Sequence, residues 1–435
     1  MKMSQKLHEL AIELNTILAS NNSPVTSMLS ERGKRIYFPS RGILGQSAAA
    51  RDAEINATIG TAFENNGSPL TLECLADKVG LNTKAFLYTP SYGLPALRQK
   101  WREMMQAKNP SLKGKPFSMP IITHALTHGL SIASFLFIDQ DDKVILPDLY
   151  WDNYDLLMHE GYGAQLTTFP MFDGELFNTA GLEKLLIEEG EKKIVLLNFP
   201  NNPTGFTASI ECATKIKGAL LKAADAGKKV IVIIDDAYFG LVYEDGIHTE
   251  SLFADLAGSH DNILAVKLDG ATKEDYVWGF RTGFITFSSK SCSAEQYKAL
   301  EAKAAGYVRG SISSTSSLAQ HYLLSIYDLP EYKEQKKDKF NTLKERYTLI
   351  RTILSEHPEY ADSFTPKPFN SGYFMCVKPL GVDAEALRKH LLKKYSTGLI
   401  MLSGLLRVAF SSVPLGKLDQ LFANIHSAVQ ELKQG

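Results

Sequence analysis

Between about residues 120 and 290, short apolar runs alternate with stretches of helical spacing. Leu130 to Ile138 has its apolar positions at helical intervals, and Lys143-Val144-Ile145-Leu146-Pro147 then reads as a strand. Asp152 to Glu160, with one polar face, fits a helix. Ile194 to Phe199 and Val230 to Asp235 are near-continuous apolar runs of strand length, and Ile210 to Ala226 between them predicts a helix capped by Gly227. Ile263 to Val266 and Phe284 to Phe287 complete the series. Apolar strands separated by helices predict an α/β fold whose mostly parallel sheet is covered on both faces. From Glu331 the pattern changes. A long helix, Glu331 to Glu356, precedes a strand at Gly372 to Val377, a helix at Ala384 to Lys394, a strand at Leu405 to Phe410 and a closing helix at Leu415 to Leu432. This reads as a smaller C-terminal α/β domain. Met1 to Leu10 looks like the start of an amphipathic helix.

The length of 435 residues agrees with two closely associated domains. Hydrophobic residues make up 44% and charged residues 22%, which argues against disorder in the bulk of the chain. A net charge of -1 gives no reason to expect nucleic acid as a partner. Lys333, Lys336, Lys337 and Lys339 alternate with Glu331, Glu334 and Asp338 and read as a solvated helix face. Cys74, Cys212, Cys292 and Cys376 lack paired spacing, so neither a zinc knuckle nor a disulfide framework is indicated. Together with the lack of a signal-peptide core and of a run near the ~18 apolar residues of a membrane span, this predicts a cytoplasmic protein without membrane contact.

In a parallel sheet, ligands gather at the carboxyl ends of strands. Three successive ends carry polar groups here. Pro200-Asn201-Asn202-Pro203-Thr204-Gly205 follows the first, Asp235-Asp236-Ala237-Tyr238 the second, and Asp269-Gly270-Ala271-Thr272-Lys273 the third, with Arg281 eight residues later. Alone, each has an ordinary explanation: a turn, a helix cap, a surface charge. Their joint occurrence does not.

This constellation resembles the fold-type I, pyridoxal-5'-phosphate-dependent aminotransferases of the aspartate aminotransferase class, from about Asn56 to Phe410. The resemblance implies a seven-stranded-type sheet and three chain segments: an N-terminal arm with part of the small domain (1–55), a large cofactor-binding domain (56–325) and a small C-terminal domain (326–435). It further implies that Lys273 forms the Schiff base with the cofactor and then moves a proton, since a primary amine can exchange its imine with an amino-acid substrate. Asp235 faces the pyridine nitrogen, while its neighbour Asp236 pairs locally, because the family places the key acid three residues before the tyrosine. Tyr238 and Asn202 hydrogen-bond the ring oxygen, and Trp151 stacks on the ring. Ala125, Leu126 and Thr127, at a helix start, cradle the phosphate with Thr272 and Arg281. Here Ala125 and Leu126 depart from the family's glycine-containing loop, and Gly270 replaces its serine three residues before the lysine, which removes one hydroxyl. Tyr88 reaches the phosphate of a neighbouring subunit, implying a homodimer with active sites at the interface. Gly60 lines the substrate pocket and Arg407 clamps the substrate carboxylate. Arg309, four residues before Ser313, matches the arginine that binds a distal carboxylate across the dimer, although Ser314 and Thr315 replace the family's Asn-Pro. The implied activity is transfer of an amino group from an L-amino acid to a 2-oxo acid, possible acidic substrates included. The same scaffold also serves amino-acid decarboxylases and C–S or β-lyases, because orientation decides which bond breaks.

Two readings from other classes are weaker. Gly161-Tyr162-Gly163 is the nearest approach to a dinucleotide fingerprint, but Leu166 fills the third glycine position and no strand precedes it. A non-catalytic effector sensor built on this fold would carry a DNA-binding module, for which roughly 50 leading residues leave little room. His124 and His128 are four apart but lack the glutamate of a zinc-helix motif, so helix-start packing is expected there, with no metal site.

Overall fold

The computed structural model describes residues 7–18, 34–35, 42–76, 83–290 and 292–434. Met1 to Lys6 of the expected N-terminal helix lie outside the described residues, and the helix that is described there runs Glu9–Leu18.

The large sheet has seven strands: β1 (Ile121–His124), β2 (Lys143–Pro147), β3 (Gln165–Phe169), β4 (Lys192–Asn198), β5 (Lys229–Asp235), β6 (Ile263–Gly270) and β7 (Thr282–Ser288). Their spatial order is β1-β7-β6-β5-β4-β2-β3. All pairings are parallel except those of β7, which runs antiparallel to both β1 and β6. The near-continuous apolar runs of β4, β5 and β6 are central strands buried on both faces, as expected. β1 and β3 were not legible as strands. Both sit at sheet edges, and β3 is only partly buried, so its Gln165-Leu166-Thr167-Thr168 lacks the apolar continuity of a central strand.

Helices α1 (Pro95–Lys108), α2 (Ala125–Phe137), α3 (Ile210–Asp225), α4 (Ala271–Glu274) and α5 (Ala294–Ser311) cover this sheet. Local chemistry sets their ends. The Ser209 hydroxyl accepts from the Cys212 N–H at the start of α3, and Gly227, at φ +85°, closes it. Ser293 and Gln296 form a reciprocal capping box at the start of α5. The stretch expected to be an ordinary helix at Asp152 to Glu160 is instead a short π-helical segment, Asp155–Glu160.

The C-terminal part has α6 (Pro330–Glu356), α7 (Ala384–Tyr395) and α8 (Leu418–Gln434) around a four-stranded sheet of β8 (Phe364–Pro366), β9 (Met375–Pro379), β10 (Ile400–Leu402) and β11 (Leu405–Val408). That sheet, ordered β8-β9-β11-β10, is antiparallel throughout. The strand expected from Gly372 begins at Met375, because Gly372 lies at φ +70° and its N–H goes to the Leu241 carbonyl. Leu343, Tyr347, Ile350 and Ile353 turn one face of α6 into the core. From the same helix, fully buried Arg346 donates to the carbonyls of Phe63 and Ser411, fastening the segment before α1 to the C-terminal part. Ile55–Asn56 adds a two-residue parallel pairing with Thr397–Gly398. Among the described residues no helix is long and apolar enough to cross a membrane.

Candidate active site

The antiparallel insertion of β7 has a direct geometric result. Gly270 at the end of β6 sits opposite Gly283 at the start of β7, so Lys273 and Arg281 leave the sheet at the same edge. β4 and β5 end beside them, at Asn198 and Asp235. A cavity of about 440 Å³ opens there. Lys273, Thr272, Asp235, Tyr238, Asn202 and Arg281 line it, all from strand ends or the turns after them. So do Ala125, Leu126 and Thr127 from the start of α2, together with Trp151, Gly60 and Arg407.

Half-buried Lys273 has its Nζ 4.8 Å from the Tyr238 ring centroid. Burial, with Arg281 adding to it and Asp235 opposing, pulls its amine down to about 8, so its neutral fraction at neutral pH is far larger than that of an ordinary lysine. Asp235 is buried. Its Oδ2 accepts from the Tyr154 hydroxyl at 2.7 Å and its Oδ1 from the Ala237 N–H at 3.1 Å. Burial pushes its carboxyl up, while Tyr154 and Lys273 act against that shift. Asp236 points elsewhere: its carboxylate accepts from the Ser251 hydroxyl at 2.5 Å and pairs with buried Lys267. The strand alternation that sends Asp235 to the cavity sends its neighbour to the opposite side.

Arg407, 3% exposed on β11, lies 4.4 Å from the Phe374 ring centroid. It donates to Asn202 Oδ1 at 3.0 Å and to the Thr58 carbonyl at 3.2 Å. No carboxylate pairs with it within salt-bridge distance among the described residues, and its Nε is buried without a partner. The Thr272 hydroxyl is a second buried polar atom without a partner. Such groups cost free energy unless something pairs with them.

At the start of α2 no side chain caps the helix, and Ala125 takes the left-handed conformation at φ +61°. Its N–H donates to the Arg281 carbonyl at 2.8 Å, with Arg281 itself at φ +54°. A Cβ on Gly270 would lie 2.6 Å from the Thr282 carbonyl oxygen and 3.1 Å from Leu126 Cδ1. Gly270 is therefore set by close packing. His128 accepts from the His124 N–H at 3.1 Å through Nδ1 and meets the Ser311 hydroxyl through Nε2 at 3.2 Å, so both ring nitrogens are engaged in helix-start packing.

Two residues singled out in the sequence lie away from this cavity. Tyr88 is 94% exposed, beside the exposed Phe86 and Leu87. Arg309 is exposed and donates to Ser313 at 2.6 Å. Sequence reasoning also missed residues that build the site. Tyr154 holds Asp235, and Asn198 ties Asn202 to the end of β5 by donating to the Asp235 carbonyl at 2.7 Å and accepting from the Asn202 N–H at 2.8 Å. The one signal for Asn198 was a polar residue closing an otherwise apolar strand.

The family model described as aminotransferase class I and II matches residues 61–425. Among characterised relatives, the glutamate-pyruvate aminotransferase AlaC of Escherichia coli is 30% identical over 48% of this chain and 48% of its own length. A probable aspartate/prephenate aminotransferase of Aquifex aeolicus is 24% identical over 62% of this chain and 64% of its own. The alignments thus span less than two thirds of either relative. The fold of an Anaerococcus prevotii aminotransferase superposes with a TM-score of 0.80 at 24% identity, covering 92% of this chain and 99% of that one.

Proposed function

Because this chain belongs to the aminotransferase class I and II family, we propose that it is a pyridoxal-5'-phosphate-dependent aminotransferase transferring the amino group of an L-amino acid to a 2-oxo acid. The observation that carries this reading is the convergence, in one cavity, of Lys273, whose Nζ lies over the Tyr238 ring, with the buried Asp235 carboxylate and the Arg407 guanidinium.

The residues present suit the cofactor. The unpaired Thr272 hydroxyl, the Arg281 guanidinium and the uncapped start of α2 at Leu126 and Thr127 offer donors for its phosphate, whereas the Ala125 N–H is already taken by the Arg281 carbonyl. Trp151 would cover the ring, Asn202 and Tyr238 would serve its oxygen, and Asp235 would meet its nitrogen. When bound, the cofactor supplies an aldehyde carbon for amine exchange and a ring that accepts the electrons released at the substrate α-carbon. Lys273 would hold the cofactor through its amine and, once displaced, carry the proton to and from the α-carbon. Tyr154 fixes the direction of the Asp235 carboxylate, and that carboxylate would keep a proton on the ring nitrogen. Arg407, already desolvated and pinned by Asn202 and Thr58, would grip the substrate carboxylate, with Gly60 leaving room beside Phe374.

The finer reading is a preference for aspartate or glutamate in a homodimer. It is supported by the exposure of Tyr88 and Arg309, which are free to reach a second subunit, and by the name of the Aquifex relative. We divide the chain at 55/56 and 325/326, with Ile55 paired to Thr397 and the Gln46 side-chain amide bonded to the Met401 backbone joining the N-terminal segment to the C-terminal domain.

The test is reduction with borohydride. Wild-type protein should retain cofactor covalently after reduction and dialysis, and Lys273→Ala should not. Covalent cofactor on a different residue in that variant would overturn the assignment.

A further inference from the structure

Glu274 and Asp275, the two residues after Lys273, are both carboxylates and both buried, at 5% and 0% exposure. Glu274 ends α4, a single helical turn, and Asp275 caps it, and one turn cannot hold its own geometry by backbone bonds alone. Its far side is fixed from two other helices. Glu274 Oε1 accepts from Lys108 Nζ of α1 at 2.5 Å and from Lys336 Nζ of α6 at 3.1 Å. Asp275 Oδ1 accepts from Lys336 Nζ at 3.0 Å and from the Tyr332 hydroxyl at 2.6 Å, and its Oδ2 accepts from the Tyr327 hydroxyl at 2.9 Å. Two ammonium groups face two carboxylates, so the cluster is neutral as a unit. Burial opposes the charges of Glu274 and Lys336, but their partners outweigh it: Glu274 is driven down to about 2 and Lys336 is raised well above its ordinary value.

None of these groups touches the cavity. We propose that Lys336 is a positioning residue for Lys273: by gripping both carboxylates that follow the lysine, it ties the lysine's backbone to α6. A long helix of the C-terminal part thereby sets the height and direction of the reacting amine. The inference rests on the reading of Lys273 given above. Misplacing a reacting group by about 1 Å can cost on the order of a hundredfold in rate, so the link acts on turnover and leaves the substrate-binding groups in place.

The experiment uses cofactor-loaded Lys336→Met and Tyr332→Phe, the second of which loosens the cluster without changing any charge. Readouts are kcat and KM of a single half-reaction, and the midpoint of the pH titration of the cofactor's absorption band. The charged or titratable groups around Lys273, which are Asp235, Arg281 and Tyr238, are intact in both variants. Lys336→Met should lower kcat roughly ten- to a hundredfold with little change in KM, and both variants should displace the titration midpoint in the same direction. Lys336→Arg should recover part of the rate. If Lys336→Met fails to fold, the double variant Glu274→Gln/Lys336→Met, which removes one charge of each sign and keeps the cluster neutral, carries the same test. Wild-type kcat and midpoint in a variant that has merely lost thermal stability would overturn the proposal. Covalent cofactor in Lys273→Ala would instead overturn the reading beneath it, so the two failures are separable.

Discussion

Replacing Arg407 with leucine removes a guanidinium that is 3% exposed, stacked 4.4 Å above Phe374 and held by two hydrogen bonds. The desolvation of that charge already belongs to the fold, so a substrate carboxylate arriving there meets a cation that has no water shell to give up. Truncating one member of such a desolvated, hydrogen-bonded charge pair costs about 2–5 kcal/mol. At ~1.4 kcal/mol per factor of ten, kcat/KM for amino acids should fall between roughly thirtyfold and a few thousandfold. Lysine at this position should restore little, since it lacks the planar fork that two carboxylate oxygens require. The assay is the single half-reaction, comparing an amino acid with the amine that lacks only its carboxylate. The amine should react in Arg407→Leu about as it does in wild type. Equal losses on both substrates would refute the reasoning, because the damage would then lie in the neighbours Asn202 and Thr58 and not in a carboxylate grip.

Three further outcomes follow from the same geometry. Asp235→Asn should leave thermal stability near wild type while slowing α-proton removal by orders of magnitude; Asp236→Asn, which leaves buried Lys267 only its longer contact with Asp269 at 3.4 Å, should do the reverse, and similar kinetic damage from both would count against the assignment. Since burial lowers the Lys273 amine to about 8, its neutral, reactive form is present above that pH and lost as the pH falls through it; the rate at which apoprotein captures pyridoxal phosphate should rise with a midpoint near 8, and a midpoint near the ordinary lysine value of 10.5 would contradict the burial argument. Arg309→Leu should cut activity on aspartate and glutamate by roughly a hundredfold relative to alanine and leucine, and an unchanged preference among these four would remove Arg309 as a selectivity residue.

The sequence showed this site better than it showed the sheet that bears it. Asp235, Lys273 and Asn202 were visible because each follows an apolar run whose end is sharply marked, and strand ends are where such a sheet keeps its chemistry. The edge strand β3 was hidden for the opposite reason, since a half-solvated strand has no obligation to be apolar throughout, while β1 is largely buried but only four residues long, with two of them polar. The choice between Asp235 and Asp236 came from family spacing, but its physical cause is strand alternation, which could have been read directly. Tyr154 and Asn198 escaped because their roles are to hold another side chain and another strand end, across 81 and 37 residues of chain, and no local pattern encodes such a partnership. The same blindness covered the cluster around Lys336, whose lysines read as a solvated face. Lys336 and Lys339 in fact turn inward to carboxylates at Glu274, Asp275, Glu64 and Glu73.

The crowding around Gly270 constrains how this protein could change. Introducing the serine that the family resemblance implies at that place is a one-residue edit on paper, yet its Cβ would press on the Thr282 carbonyl and the Gly283 backbone and crowd the Leu126 side chain. The hard contacts are backbone atoms of the neighbouring strand, while the Leu126 side chain at 3.1 Å need give way only slightly. A lineage or an engineer wishing to regain that hydroxyl must therefore shift the β6–β7 pairing, so a substitution at Gly270 alone cannot be made without moving a strand.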